Sequence, residues 1–423
     1  MRSVRSWVGS LRAGWRFLTT RYLVVASVPL LVAQVICASL GLGRNVLLTN
    51  LLSKADYAAI NYLLGWVSVV SLLGLPGLNV AVAQYVARGH WETIRLGLRR
   101  RLLLAPLPMI ALVSLGWMGI RPKQGEVIRS LWFLTAFFFP TAQVLGLVGS
   151  ILGALRRFRR LAAYRVARSA AFLLAAAIGP WLWPGRATSG IILFQWLLLS
   201  FSSVWFWTRL RRLEPDPVPL LPSQRRRFYR FGTHMTVLGA IGQVRGRIGA
   251  LLLGSFVSFS SLADYAVGNL FFEQMRAVWR IYYGVSYPRL VNLSPHDRWR
   301  QVGRELRIAT PAFAALTGVV GVGLSFVIPW LFSAKYASSL AYTWILLFAF
   351  ICSVPGGFFE MYFRLEESER QLYRIRLISD SLGALLPPLL LALWGPLGVP
   401  AGRACATLAY SLAGFTLYRR HRQ

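Results

Sequence analysis

Apolar runs long enough to cross a bilayer recur along the whole chain. They fall at roughly 22–43, 57–84, 102–119, 131–154, 163–184, 188–208, 232–254, 262–287, 308–333, 338–363, 372–394 and 397–418. A helix rises about 1.5 Å per residue, so about 20 apolar residues cross a hydrocarbon core about 30 Å thick. The pattern predicts an all-α polytopic membrane protein of about twelve transmembrane helices. No loop is long enough to fold as a soluble domain. The longest, 209–230, contains Glu214-Pro215-Asp216-Pro217-Val218-Pro219, a proline density that predicts an extended linker. It divides the chain into two six-span lobes, 1–215 and 222–423, expected to surround a central cavity.

One span departs from the apolar pattern. Between Leu262 and Tyr287 stand Asn269, Glu273, Arg276, Arg280, Tyr283 and Tyr287. Steps of three and four place all six on one helical face. An arginine at bilayer depth costs about 2.5–3.5 kcal/mol on insertion scales, so this stripe is expected to face protein or water rather than lipid.

Composition then narrows the class. The 423 residues are 56% hydrophobic and carry 47 Lys+Arg against 14 Asp+Glu, a formal charge of +33. In a soluble chain that charge would point to nucleic acid. Here the cations lie between apolar runs, and no RNA-binding or helix-turn-helix pattern is present, so no nucleic-acid partner is expected. The loops alternate in charge. One set carries Arg2, Arg5, Arg12, Arg16 and Arg21, then Arg88, Arg95, Arg99, Arg100 and Arg101, then Arg156, Arg157, Arg159 and Arg160. It continues through 209–230, 289–304, Arg364, Arg370, Arg419, Arg420 and Arg422. The opposite loops and adjoining span ends hold only Arg44, Lys54, Arg121, Lys123, Arg129, Arg186, Lys335 and Arg403. The positive-inside rule then predicts cytoplasmic termini, with 22–42 as the first membrane helix rather than a cleaved signal. Cys37, Cys352 and Cys405 lack metal or redox spacing and read as packing residues. No metal site, cofactor or phosphate-cradling glycine loop is encoded.

The two halves share a motif. Ala55-Asp56-Tyr57-Ala58 with Asn61 recurs as Ala263-Asp264-Tyr265-Ala266 with Asn269, each at the start of its half's second span. Same-side starts and equal span counts predict parallel repeats related by an axis along the membrane normal. These regions carry a resemblance. Arg44-Asn45-Val46-Leu47-Leu48, Leu73-Gly74-Leu75-Pro76-Gly77-Leu78 and Gln84-Tyr85-Val86-Ala87-Arg88, with 252–267 and Pro288-Arg289-Leu290, resemble the polysaccharide (O-antigen-type, Wzx-like) flippases of the multidrug/oligosaccharidyl-lipid/polysaccharide exporter superfamily. Asp56 and Asp264 stand where that family usually has glycine. The resemblance implies a plasma-membrane flippase that carries a lipid-diphosphate-linked oligosaccharide to the outer leaflet by alternating access. Its partners would be the lipid-linked glycan, membrane lipids and other polysaccharide-assembly membrane proteins.

The candidate substrate-binding residues are Arg247, Arg276, Arg280, Arg245, Gln243, Asn269 and Arg44. Guanidinium groups grip phosphate oxygens bidentately and resist deprotonation. Thr236, Gln243 and Arg247 share a face, whereas Arg245 lies about 200° away and is expected to meet a partner or mark a kink. Gly239, Gly242, Gly246 and Gly249 form a stripe suited to close helix contact. Arg280 could snorkel, and Arg44 either snorkels or faces the outer cavity. Glu273, Glu360 and Asp380 are the candidate charge-pairing or coupling groups, for a proton or sodium gradient if one is used; Glu360–Arg364 and Arg376–Asp380 are i, i+4 pairs. Pro76-Gly77 could be a hinge. Two other functions compete. A drug exporter of the same superfamily should favour acids in its cavity. A glycan polymerase or ligase should carry a large outer loop with acids or histidines. Reporter fusions after Lys54 and after Arg186 are expected to read external; a cytoplasmic signal at both would overturn the topology.

Overall fold

The computed structural model describes residues 29–118, 125–183, 185–211, 220–291, 293–366 and 368–420. Several expectations therefore lie outside the described residues: the N-terminal arginines, the first residues of span 1, Arg121, Lys123, most of the proline-rich linker and Arg422. Among the described residues the chain is helical throughout, with no strand. Fourteen α-helices make twelve traverses. These are α1 (Pro29–Leu51), α2 (Lys54–Val70) with α3 (Gly77–Ala87), and α4 (Glu92–Leu104) with α5 (Pro106–Trp117). Then come α6 (Gly125–Ala154), α7 (Phe158–Leu182), α8 (Ala187–Arg211), α9 (Pro222–Leu252) and α10 (Phe259–Val291). The last four are α11 (Pro295–Leu331), α12 (Ser339–Leu365), α13 (Glu369–Trp394) and α14 (Gly398–Arg420). Among the described residues nine stretches are long and apolar enough by themselves to cross a membrane, one of them running through α13 and α14 together. The helix α10 is not among them, because its polar stripe lowers its hydropathy.

Local chemistry sets the starts. The Ser53 hydroxyl caps α2 by accepting from the Asp56 amide (3.1 Å), and Ser294 caps α11 from Asp297 in the same way (3.2 Å). Proline opens α5, α9 and α11, where a missing N–H costs nothing. The alternation of helices defines two ends of the bundle: a Lys54 end, and an arginine-rich end holding the 88–91 and 155–157 turns.

The helices α3, α5, α6, α7 and α8 pack together, as do α10, α11, α12, α13 and α14. Between these groups the contacts run through α2 and α9: α9 lies on α3 and α2, α2 lies on α10, and α9 also reaches α13. The α3–α9 approach is tight. A Cβ on Gly77 would come within 2.3 Å of the Gly232 carbonyl and the Thr236 amide, so only glycine fits. The Gly77 amide donates to the Thr236 hydroxyl at 3.0 Å.

The second traverse is broken. After Val70 the helix tightens into one 3-10 turn, Leu75 adopts a left-handed backbone (φ 52°), and Pro76 begins α3. Arg101 staples this break. Its side chain donates from Nε to the Gly74 carbonyl (3.3 Å) and from Nη1 to Asn79 Oδ1 (2.5 Å) and the Gln143 carbonyl (2.8 Å). The residue is 4% exposed. The charge pattern places Arg101 in a basic loop; it is instead a buried donor set on α4 that satisfies the Gly74 carbonyl at the proline break and ties it to Asn79 and to the Gln143 carbonyl of α6.

The glycine stripe of α9 is also corrected. Only Gly249 packs, against Tyr265 and Val399, while a Cβ on Gly239, Gly242 or Gly246 would meet nothing within 4 Å. Spacing gave the stripe its face, but α9 is held through other faces, by α2, α3 and α13.

Removing the staple should loosen the break. Arg101→Leu removes the donor to the buried Gly74 carbonyl and the links to Asn79 and the Gln143 carbonyl, and an unsatisfied buried group costs about 1–3 kcal/mol. We expect a clearly lower thermal midpoint for the purified protein in detergent. The exposed neighbour variant Arg99→Leu should stay within about 0.5 kcal/mol of wild type.

Candidate functional site

The polar stripe of α10 does not lie alone. Arg403, six residues into α14, reaches across to it: Nη1 donates to Asn269 Oδ1 at 2.6 Å and to the Tyr265 hydroxyl at 3.3 Å, and Nη2 to Glu273 Oε1 at 3.4 Å. Its guanidinium lies 3.9 Å from the centroid of Phe272. Arg276 Nη1 donates to the same Glu273 oxygen at 3.0 Å and lies 5.7 Å from Phe272. One carboxylate therefore serves two guanidiniums. The Arg276 and Glu273 side chains remain 42% and 40% exposed, against 19% for Arg403.

Arg245 brings α9 to the same neighbourhood. It pairs with Asp380 of α13 at 2.9 Å, donates to the Ser379 hydroxyl, and lies close enough to Arg276 and Arg403 to feel their charge. This settles the α9 geometry in favour of a partner for Arg245. It also corrects one pairing, because Asp380 holds Arg245 rather than Arg376. Arg376 instead reaches Glu360 of α12 at 2.9 Å, where Arg364 (2.5 Å) and the Tyr410 hydroxyl (2.7 Å) also bind. The i, i+4 spacing of Arg376 and Asp380 permitted a pair, but carboxylates on neighbouring helices offered better geometry.

The remaining candidates separate. Arg280 and Arg247 are exposed, and no polar partner holds either among the described residues. Arg280 lies near enough to act on Glu273. Gln243 is bound away to α2: its amide donates to the Ser68 carbonyl, and to the Ser68 (3.3 Å) and Ser71 (3.1 Å) hydroxyls. It is a tie between helices rather than a free ligand group. Arg44 belongs to a different place. It donates to Gln195 of α8 at 3.3 Å and lies 5.2 Å from the Phe172 ring of α7, with its Nε buried and unpaired. It neither snorkels nor joins the second-half cluster.

Arg403 is the residue that sequence reasoning missed. It was grouped with loop and span-end cations at the Lys54 end. Its signal was available: it stands among small and apolar residues, Pro400-Ala401-Gly402 and Ala404-Cys405-Ala406, inside a run too long for its start to be a loop.

At the Lys54 end the two helix groups are tied together. Lys54 pairs with Asp264 at 2.8 Å, and Ser338 joins both, donating to Asp264 (2.8 Å) and lying 3.2 Å from Lys54 Nζ. Lys335 donates to the Leu52 carbonyl (2.8 Å), and the Asn50 amide to the Leu331 carbonyl (2.9 Å). Tyr57 packs edge-on against Tyr336 with centroids 6.0 Å apart. Among the described residues no group of three or more histidines, cysteines or carboxylates could hold a metal ion.

A model of polysaccharide biosynthesis proteins matches residues 26–294, more than half of the chain. The chain belongs to the polysaccharide biosynthesis protein family. Among curated proteins none matches. Solved structures share the fold of this family member at low identity. An inward-facing multidrug resistance MATE transporter of the MOP superfamily is 14% identical, with TM-score 0.67, over 94% of this chain and 98% of that one. The lipid II flippase MurJ in an inward closed conformation is 14% identical, with TM-score 0.64, over 94% and 87%. A MOP-superfamily transporter from Pyrococcus furiosus, whose binding pocket is described as reversed in polarity, is 13% identical with TM-score 0.56 over 94% and 95%. The family member is thus an all-α polytopic membrane protein with the MOP transporter fold.

If the open side of the Arg276 cluster is watery, cysteines placed there should react with polar reagents. With Cys37, Cys352 and Cys405 replaced, Arg276→Cys and Arg247→Cys should be labelled by a charged thiosulfonate. Val319→Cys, on an exposed apolar face of α11, should not. Equal resistance at all three positions would place the cluster against lipid.

Proposed function

We propose that this polysaccharide biosynthesis protein is a flippase that moves a lipid-diphosphate-linked oligosaccharide from the cytoplasmic to the outer leaflet of the plasma membrane. The observation that carries the reading is the charge balance around α10. Arg245, Arg276, Arg280 and Arg403 share one region with two carboxylates, Glu273 and Asp380. A positive surplus at this depth is costly against lipid and suits a diphosphate, which takes guanidinium forks bidentately. Arg276 and Arg403, both close to the Phe272 ring, form the grip in this reading, and Arg280 widens the field. A carrier of cationic drugs would call for the opposite surplus. The family match, and a fold shared with a protein described as a lipid II flippase, support the choice.

The mechanism follows from where the helix groups touch. Two lobes, 1–215 and 222–423, rock about α2 and α9, and the Lys54–Asp264–Ser338 latch marks the outer side as shut. With cytoplasmic termini the open side then accepts substrate from the cytoplasmic leaflet. The first lobe lacks the charges: an offset of 208 residues maps Glu273, Arg276 and Arg280 onto Gly65, Ser68 and Leu72. It is the wall for lipid or sugar. The energy source, a proton or sodium gradient, would act through Glu273, Glu360 or Asp380.

In proteoliposomes carrying a fluorescent polyprenyl-diphosphate sugar, Arg276→Ala and Arg403→Ala should each lose most translocation while inserting normally. Arg276→Lys should recover only part, because a point charge lacks the planar fork. Arg99→Ala should transport as wild type. Normal transport by Arg276→Ala would defeat the diphosphate grip.

A further inference from the structure

Glu273 occupies the place that an anion would take. Its Oε1 accepts from Arg276 at 3.0 Å and from Arg403 at 3.4 Å, so the two guanidiniums converge on one carboxylate oxygen. The two cations are held differently. Arg403 has three other contacts to hold it: Asn269 (2.6 Å), the Tyr265 hydroxyl (3.3 Å) and the ring of Phe272 (3.9 Å). Arg276 has Glu273 as its one polar partner among the described residues, and its side chain is 42% exposed. Glu273 is a residue of the same helix one turn away, so the pair can open by rotamer change with no movement of the backbone.

We infer that Glu273 is a built-in competitor of the transported diphosphate: it holds Arg276 when the carrier is empty, yields it on loading and reclaims it at release. This rests on the diphosphate reading of the site. Without a carboxylate here the empty carrier would hold two unpaired guanidiniums at bilayer depth, an unfavourable state for the return step. With a carboxylate the ligand must displace a bonded group, so affinity falls and release speeds up. Glu273 is thus a positioning residue that acts through Arg276. Asp380 does the same for Arg245 only in part, because Ser379 also holds that guanidinium.

The consequence is that neutralising Glu273 tightens binding and slows turnover. Purified full-length protein in nanodiscs is titrated with farnesyl diphosphate, with farnesol as the control for the isoprenoid chain. We expect Glu273→Gln to bind farnesyl diphosphate about tenfold more tightly, the scale of one charge-assisted pair no longer opposed. Asp380→Asn removes the same charge from the neighbouring pair and should change affinity by less than about threefold. In an Arg276→Ala background the Glu273→Gln gain should vanish, since the effect passes through Arg276. In the proteoliposome assay Glu273→Gln should lower KM and kcat together, and Glu273→Asp, which keeps the charge on a shorter arm, should restore most of kcat.

Unchanged or weaker binding by Glu273→Gln, with a wild-type thermal midpoint, overturns the competitor role. So does a gain that persists without Arg276 or that Asp380→Asn reproduces in full. Should Glu273→Gln fail to fold, Glu273→Ala carries the test, since it also removes the carboxylate, and unchanged or weaker affinity for farnesyl diphosphate in that variant with a wild-type thermal midpoint refutes the idea. If wild type prefers farnesyl diphosphate to farnesol through Arg276 but Glu273→Gln gains nothing, only this inference falls. If wild type shows no such preference and Arg276→Ala alters nothing, the diphosphate reading falls with it.

Discussion

A guanidinium group inside a bilayer must be enclosed, bonded or wetted, and this chain has far more of them than it has acids to neutralise. That constraint shapes its interior. Arg101 lies dry among carbonyls and an amide, without any carboxylate. Arg44 rests on an aromatic ring and a glutamine. Arg245 takes an aspartate and a serine from α13. Arg276 and Arg403 divide one glutamate. Each arrangement ties together helices that the hydrophobic effect alone would not register, because lipid tails are as apolar as the helix faces themselves.

Scarcity of acids gives the ties their character. Glu273 bonds two arginines, and Glu360 bonds two arginines and a tyrosine. A carboxylate with several cationic partners has alternative arrangements of similar energy, which is the property a moving assembly needs. A buried pair of one acid and one base, isolated from other charges, is harder to rearrange, because breaking it leaves a lone buried charge.

The repeated motif shows how one sequence element comes to serve two purposes. Asp56 accepts a hydrogen bond from Ser53 and stays within its own helix start. Asp264 is the equivalent residue, but α10 begins earlier, at Phe259, so Asp264 lies a turn inside the helix and meets Lys54 across the bundle. Tyr57 donates to Asn45, whereas Tyr265 accepts from Arg403. The broken second traverse adds to the asymmetry: Pro76 and the left-handed Leu75 end one helix and aim α3 at α9, where Gly77 and Gly232 allow backbones to meet.

Features that depend on residues near one another in the chain were legible in the sequence. Twelve spans follow from the lengths of apolar runs, and the α10 stripe from steps of three and four. The alternation of arginine-rich loops orders the ends of the helices for the same reason: each loop is adjacent to the spans it joins. Partnerships across the fold were not legible. Arg403 reaches Glu273 over 130 positions, Arg245 reaches Asp380 over 135, and Arg101 meets Gln143 over 42. Arg101 and Arg403 read as loop or span-end cations and Arg245 as a span residue whose partner had no local signal, since one arginine between apolar runs has the same local pattern whether it faces headgroups or a partner helix. Likewise the glycine spacing on α9 fixed a face but not its neighbour. Only packing of the twelve traverses decides which faces meet, because side-chain partners in a helical bundle are set by helix tilt and by neighbours distant in sequence.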